Sequence, residues 1–412
     1  MAVGQHPRAY REFFPAKDGR GAVCGHLTDA GEALLPLAHR ILADADTARH
    51  LHMNGAGGRA LQQCLPDNLF ELYVQTSRET PRREVMVMLD HQARELGARP
   101  HIGPPNDPRR PHTAVNRRTL RQIMGLGLED IIRFDSTVTG FETDGEKVRV
   151  LLGDGTSEAG DVLVGADGIN SVVRRQLLPD VPVVDTGMRG LYSTAPLTDE
   201  LAASLPEALF DGFAVAAGPN GAMFAYGLYR PRRPVAEAVA ELAPGAAVDT
   251  VDPYIMVNLG LPPGSPVGTG APDLWHSSAE ALHALMRTAV RGWDPALADL
   301  VEHVDASTIF PVSMRHLRPA DPWPAGRVTL LGDAIHAMPP SFGSGANTAL
   351  RDAAALTRAL ERVAHGDTPV ATAVAEYETE MRAEVFPILR ASADPRAADI
   401  DFLPDDLPVS HT

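Results

Sequence analysis

Apolar positions recur in two rhythms along this chain. Short apolar runs stand at Leu51–Met53, Val85–Leu89, Val148–Leu152, Val162–Val164 and Val328–Leu331, the pattern of strands buried on one or both faces. Helical spacing marks Asn116 to Gly125, with Leu120 and Met124 on one face, Ser278 to Arg291, and two closing helices near 345–364 and 369–391. In the first closing helix Leu350, Ala353, Leu356, Leu360 and Val363 form the buried stripe, and Arg351, Arg358 and Arg362 fall on the solvated side. Gly55-Ala56-Gly57-Gly58 reads as a turn, followed by a helix from Arg59 that Pro66 interrupts. Gly153-Asp154-Gly155 after Val148–Leu152 predicts a hairpin.

Between 180 and 310 the texture changes. Tyr192, Phe213, Met223–Leu228 and Tyr254–Leu259 predict separate antiparallel strands. Their connectors carry proline and glycine, as at Gly218-Pro219-Asn220-Gly221 and Pro262-Pro263-Gly264. Residues 1–50 show helical spacing at Leu34, Leu37, Ala38 and Ile41 but no strand-like run before it. Gly103 to Pro111 reads as a loop, and the Asp- and Pro-rich tail 394–412 as loose chain. The expected organisation is discontinuous: an atypical segment 1–50, one domain from 51–179 and 311–393, and a sheet-rich second domain over 180–310. A ligand pocket belongs between the two lobes.

Composition narrows the picture. A chain of 412 residues is long for one compact core and favours two lobes. Its 37 basic and 53 acidic side chains leave a net charge of −16, which excludes a nucleic-acid surface. Cys24 and Cys64 are the two cysteines, too few for a disulfide framework, and they read as small buried apolar side chains. No signal-peptide layout opens the chain and no apolar run has the length of a bilayer span, so the expectation is a cytoplasmic protein with no membrane partner.

The chemistry concentrates in Leu330–Ala353, an apolar strand end, Asp333, a Pro339-Pro340 turn, Gly343-Ser344-Gly345 and then the first closing helix. The C-terminal end of a buried strand is where open α/β sheets place ligands. Asp333 there can accept hydrogen bonds from two vicinal hydroxyls, such as those of a ribityl chain. Pro339-Pro340 stiffens the backbone so that it can lie flat against a ring. Gly343 and Gly345 allow close backbone approach. The amides around Gly345, Ala346 and Asn347 open a helix and offer a partial positive charge. A second segment, Val162-Leu163-Val164-Gly165-Ala166-Asp167-Gly168, ends another buried strand, and Val115-Asn116-Arg117-Arg118-Thr119-Leu120 opens a helix.

Together these segments resemble the internal fingerprints of the FAD-dependent aromatic hydroxylases, the class A flavoprotein monooxygenases with the para-hydroxybenzoate hydroxylase fold. The resemblance begins at Leu51-His52-Met53-Asn54 and covers nearly all of the remainder. It implies an α/β fold: an FAD/NAD(P)-binding Rossmann-like lobe, incomplete at the N-terminus, with a sheet-rich substrate lobe. It further implies FAD as cofactor and NAD(P)H as electron donor. The substrate is then an aromatic or polyketide-like small molecule, hydroxylated through a flavin C4a-hydroperoxide. In that family Arg117 reaches the flavin phosphate and ribityl region, Asp167 organises FAD and the nicotinamide donor, and Asp333, Pro339, Gly343, Gly345, Ala346 and Asn347 border the flavin. The family's opening Gly-x-Gly-x-x-Gly is missing. Gly19-Arg20-Gly21-Ala22-Val23-Cys24-Gly25 is its nearest approach, one residue too long and preceded by no buried strand.

Two other readings stand beside this one: a scaffold that no longer holds FAD, and an FAD-dependent reductase. No catalytic base can be named. Substrate contacts are expected from 180–310, with Tyr192, Met223, Phe224 and Tyr226 as candidates that read equally as core. His336 reads as a packed histidine, and His50 and His52 lack the companions of a metal site. The pattern does not address oligomeric state.

Overall fold

The computed structural model describes residues 24–25, 49–100, 112–219, 221–265, 273–340 and 343–393. Most of the Gly19–Gly25 stretch, the helical spacing before residue 49, the Gly103–Pro111 loop, Asn220, Ser341-Phe342 and the tail lie outside the described residues.

The chain runs through β1 (Cys24–Gly25), β2 (His50–Met53), α1 (Gly55–Cys64), α2 (Asp67–Thr76), a hairpin of β3 (Val85–Asp90) and β4 (Glu95–Pro100), β5 (Thr113–Asn116) and α3 (Arg117–Gly125). A meander of β6 (Val138–Thr143), β7 (Val148–Leu152) and β8 (Ser157–Gly160) leads into β9 (Val162–Gly165) and α4 (Val172–Leu177). The middle supplies β10 (Val183–Tyr192), β11 (Thr194–Pro196), α5 (Asp199–Ser204), β12 (Phe213–Ala217), β13 (Met223–Tyr229), α6 (Val235–Leu242), β14 (Tyr254–Leu261), α7 (Ala279–Ala289), α8 (Pro295–Glu302) and β15 (Phe310–Leu317). Then come β16 (Val328–Leu330), the short α9 (Asp333–His336), α10 (Gly345–Ala364) and α11 (Val370–Ala393).

This is a mixed α/β architecture with a separate sheet-rich lobe. β9 and β16 pair in parallel, and both are buried along their whole length. Side chains from this pair, α10 and α11 form one core, including Val164, Leu330, Leu356 and Tyr377. β1 adds to β9 antiparallel, through Cys24 and Gly25. The large sheet has the order β15-β10-β14-β13-β12-β3-β4, with β11 attached to β14. Its core includes Leu191, Phe224, Val257, Met286 and Trp293. Among the described residues no helix is long and apolar enough to cross a membrane.

Two local expectations are corrected. The glycines at 55, 57 and 58 open a helix instead of forming a turn, because Asn54 caps it, its Oδ1 accepting from the Ala56 and Gly57 amides at 2.9 and 3.1 Å. The β3–β4 hairpin, which precedes the middle segment in sequence, joins the large sheet through parallel pairing of β3 with β12. Arg351, Arg358 and Arg362 lie on the solvent-exposed side as expected, where they also pair with Glu384, Glu380 and Glu376 of α11.

Gly57 is a point of close packing. A Cβ there would lie 2.2 Å from Asn347 Oδ1 and 2.9 Å from Met53 Cε. Gly57→Ala should therefore lower the urea midpoint, by about 1–3 kcal/mol of stability, despite the roughly 1 kcal/mol that alanine normally adds to a helix.

Candidate cofactor site

β16 delivers the chain to Gly332 and Asp333, at the C-terminal edge of the parallel pair. No hydrogen-bond donor among the described residues reaches the Asp333 carboxylate. Burial pushes its pKa up, while His336 and Arg117 pull it down. Arg117 opens α3, which Asn116 caps through bonds from the Arg118 and Thr119 amides, each 3.1 Å. The Arg117 amide is bonded to Arg49 O at 2.8 Å, but its guanidinium Nε is covered and has no partner. Burial lowers the Arg117 pKa, and Asp333 is the strongest influence opposing that. A carboxylate and a guanidinium thus lie near each other, both short of partners.

The start of α10 completes the setting. No side chain caps it, and its first backbone bond runs from the Thr348 amide to Ser344 O at 2.9 Å. The amides of Gly345, Ala346 and Asn347 have no acceptor among the described residues, so the partial positive charge of the helix end is unspent. Gly345 lies close to the carboxylate, since a Cβ there would be 3.9 Å from Asp333 Oδ1. Gly343 holds φ +60°, a left-handed conformation suited to glycine, and its Cβ position faces His52 Cβ at 3.5 Å. Pro339 lies between α9 and α10 and is partly buried.

Two expected residues use their side chains for the scaffold. Asn347 Oδ1 accepts from the Asn54 amide, and its Nδ2 donates to His52 O and Gly343 O, all at 2.9 Å. Only its backbone amide is left for a ligand. Asp167 caps α4: one oxygen accepts from Ser171 Oγ at 2.5 Å, the other from the Val172 amide at 2.7 Å and the Val173 amide at 3.4 Å. It ties loop backbone and has little capacity left to hold anything else.

Three supporting residues were not legible beforehand. Buried Arg174 donates to Ala334 O at 3.0 Å and to Ile169 O at 2.8 Å, fastening α4 to the turn that carries Asp333. Asp352 Oδ2 accepts from the Gly332 amide at 3.1 Å and meets His336 Nε2 at 2.5 Å. Asn54 joins the group through its bond to Asn347. Their only sequence signal was adjacency to the motifs, and polar residues beside an apolar stripe are usually solvated. His336 is packed as expected, with an ion pair as well. Burial works to lower its pKa, but Asp352 and Asp333 outweigh it and the net shift is upward. No cluster of three possible metal ligands occurs among the described residues. Of the candidate substrate contacts, Phe224 and Tyr226 are core side chains with stacked rings, and Tyr192 lines a cleft.

Comparison with known proteins identifies the family. Residues 287–392 match the family model described as an FAD binding domain. The crystal structure of a candidate FAD-containing monooxygenase from Photorhabdus luminescens superposes with a TM-score of 0.70 at 30% identity, over 88% of this chain and 96% of that one. The chain belongs to the class A FAD-dependent monooxygenases. The chain is also similar to the dual O-methyltransferase/FAD-dependent monooxygenase CTB3 of Cercospora beticola, 32% identical over 65% of this chain and 32% of that protein. The 6-hydroxynicotinate 3-monooxygenase of Bordetella bronchiseptica is 28% identical over 69% of this chain and 65% of that protein. The chain spans about a third of the length of the first curated relatives it matches.

The His336–Asp352 pair gives a pH signature. A histidine whose folded pKa is raised stabilises fully below its unfolded value near 6.5, and that contribution is lost as pH rises through the folded value. Asp352→Asn should accordingly cost more stability at pH 6 than at pH 9 in urea denaturation. An equal loss at both would show that the bond to Gly332 alone matters.

Proposed function

We propose that the protein is an FAD-dependent, NAD(P)H-driven monooxygenase that hydroxylates an aromatic or polyketide-like small molecule. The observation that carries this reading is the set of unpartnered groups around α10: the Asp333 carboxylate, the Arg117 guanidinium and the first amides of the helix. Burying such groups without partners is costly, and one FAD molecule supplies a complement to each. FAD, reduced by NAD(P)H, supplies the electron transfer and oxygen activation.

The chain's own residues bind and orient. Asp333 accepts from ribityl or ribose hydroxyls, which also offsets the burial that now raises its pKa. Arg117 meets phosphate oxygens with its planar fork. The Gly345, Ala346 and Asn347 amides stabilise negative charge on the pyrimidine end of the ring by roughly 0.3–2 kcal/mol. Pro339, Gly343 and Gly345 let backbone approach the ring face. Asp167 acts at one remove, by holding the loop before α4. The name of one relative, 6-hydroxynicotinate 3-monooxygenase, supports a small ring as substrate.

Titrating FAD into the purified chain tests the reading, with quenching of flavin fluorescence as the signal. The unaltered chain should bind and turn yellow, and Asp333→Asn and Arg117→Ala should each weaken binding by roughly 10–100-fold. A chain that stays colourless in excess FAD would remove the proposal. With a turned-over substrate, oxygen-18 from O₂ should appear in the product. Product formed without the label would mark a reductase.

A further inference from the structure

The turn that presents Asp333 is pinned from two sides. Gly332 and α9 form one helical turn, closed by the Ile335 and His336 amides on Gly332 O, each at 3.0 Å. Asp352 of α10 takes the Gly332 amide at 3.1 Å. Arg174 of α4 donates to Ala334 O at 3.0 Å. The Asp352 oxygen that holds Gly332 also meets His336 Nε2 at 2.5 Å. The backbone is therefore fixed without the imidazole, and a buried histidine is a costly way to add one more bond.

The placement of the ring suggests another use. His336 is fully buried and Asp352 nearly so. Asp333 and His336 are the first and last residues of α9, and side chains three apart on a helix are neighbours. Asp333 is only partly buried, and Gly345 of α10 approaches its carboxylate. The imidazole thus has two carboxylates near it, one bonded to Nε2 and one beside the cofactor site. Its Nδ1 is covered and has no partner, so the ring makes no second bond to the scaffold.

The elements packed most closely on α9 are α10, α11, α4 and β15. α10 brings Asp352. α4 brings Arg174, spent on Ala334 O and Ile169 O. α11 brings Tyr377, whose hydroxyl donates to Leu330 O at 2.9 Å, and Glu378, which accepts from Trp323 and Thr329. β15 brings His316, with Nδ1 at 3.0 Å from Leu317 O, and Arg315, which donates to Asn170. Of these side chains Asp352 is the one bonded to the imidazole. Burial opposes charge on the ring, and Asp352 and then Asp333 outweigh it, so its pKa is raised. Burial likewise opposes charge on Asp333, and His336 and then Arg117 counter it. A neutral His336 would leave Asp333 with Arg117 alone against burial.

We propose that His336 is a positioning residue for cofactor binding: charged, and held by Asp352, it keeps the Asp333 carboxylate ionised so that it can accept from a hydroxyl of FAD. This rests on the FAD-binding reading and adds a second layer of residues to it. The carboxylate is the better acceptor, because a hydrogen bond to a charged group is stronger than one to a neutral group. FAD that prefers the carboxylate to the carboxylic acid has its full affinity above the Asp333 pKa. It loses affinity, by up to about tenfold per pH unit, as pH falls through that value. Removing the positive charge at 336 raises the Asp333 pKa and moves this acid limb to higher pH. His336 touches no cofactor atom in this scheme and transfers no proton.

The test is the pH profile of FAD affinity, read by quenching of flavin fluorescence on protein that circular dichroism shows to be folded at each pH. His336→Gln keeps an N–H for Asp352 and removes the charge. Asp352→Asn removes the anion that holds the charge. Each should move the acid limb up by about one pH unit or more, and affinity should approach that of the unaltered protein at the alkaline end. In Asp333→Asn the limb should be absent, and adding His336→Gln to that variant should shift nothing. One measurement needs no variant: nitrogen-15 spectra of the unaltered protein at about pH 7.5, where an ordinary histidine is mostly neutral. They should show one exchange-protected histidine ring with both nitrogens protonated. A loss of affinity that is equal at every pH in both variants, a limb that survives Asp333→Asn, or the absence of that protonated ring would overturn this inference and leave FAD binding standing. Unaltered protein that takes up no FAD would remove both.

Discussion

The first two turns of α10 are tied to both loops that border the site. Asn347 bridges Asn54, His52 and Gly343, which fixes the helix start against β2 and α1. Asp352, one turn and a half later, grips the Gly332 amide and His336, which fixes the same helix against the turn that presents Asp333. Both side chains are buried, so these bonds are made where water does not compete and where a missing partner is expensive. The tight fit of Gly57 on Asn347 follows from the same constraint.

Holding the helix by its sides leaves its end free. An ordinary helix start satisfies its first amides with a serine, threonine or aspartate side chain. Here Ser344 occupies the cap position without making that bond, while Asn54, Asn116 and Ser171 all cap their helices. Asp167 reinforces the α4 start in the same way. The uncapped helix start lies beside the Asp333 carboxylate.

The large sheet contributes a second surface. Its core is apolar, with Phe224 and Tyr226 stacked inside it, and Tyr192, Ser193, Thr194, Asn258 and Thr308 line a cleft together with Arg49 and His50. β2 is only four residues long, but it is paired with β5 directly before Arg117, so one short ladder sets the spacing between the two halves of the site.

What was legible in the amino-acid order was what depends on near neighbours. Asp333, Gly343, Gly345 and Ala346 fall within a strand–turn–helix passage short enough that their order largely implies their placement. The Asn116 cap before Arg117, the β7–β8 hairpin and the apolar stripe of α10 are equally local. Other features were decided by contacts across hundreds of positions. The glycines at 55, 57 and 58 look like a turn until Asn54 caps them and Asn347 packs on them. The β3–β4 hairpin could not be assigned to the large sheet before β12 was seen to run parallel to it. The glutamate partners of Arg351, Arg358 and Arg362 appear only once α11 lies alongside. Sequence periodicity reports which face of an element is apolar, because that depends on residues three or four apart. It carries no record of which distant face will cover it, because that partner is chosen only when the whole chain has packed.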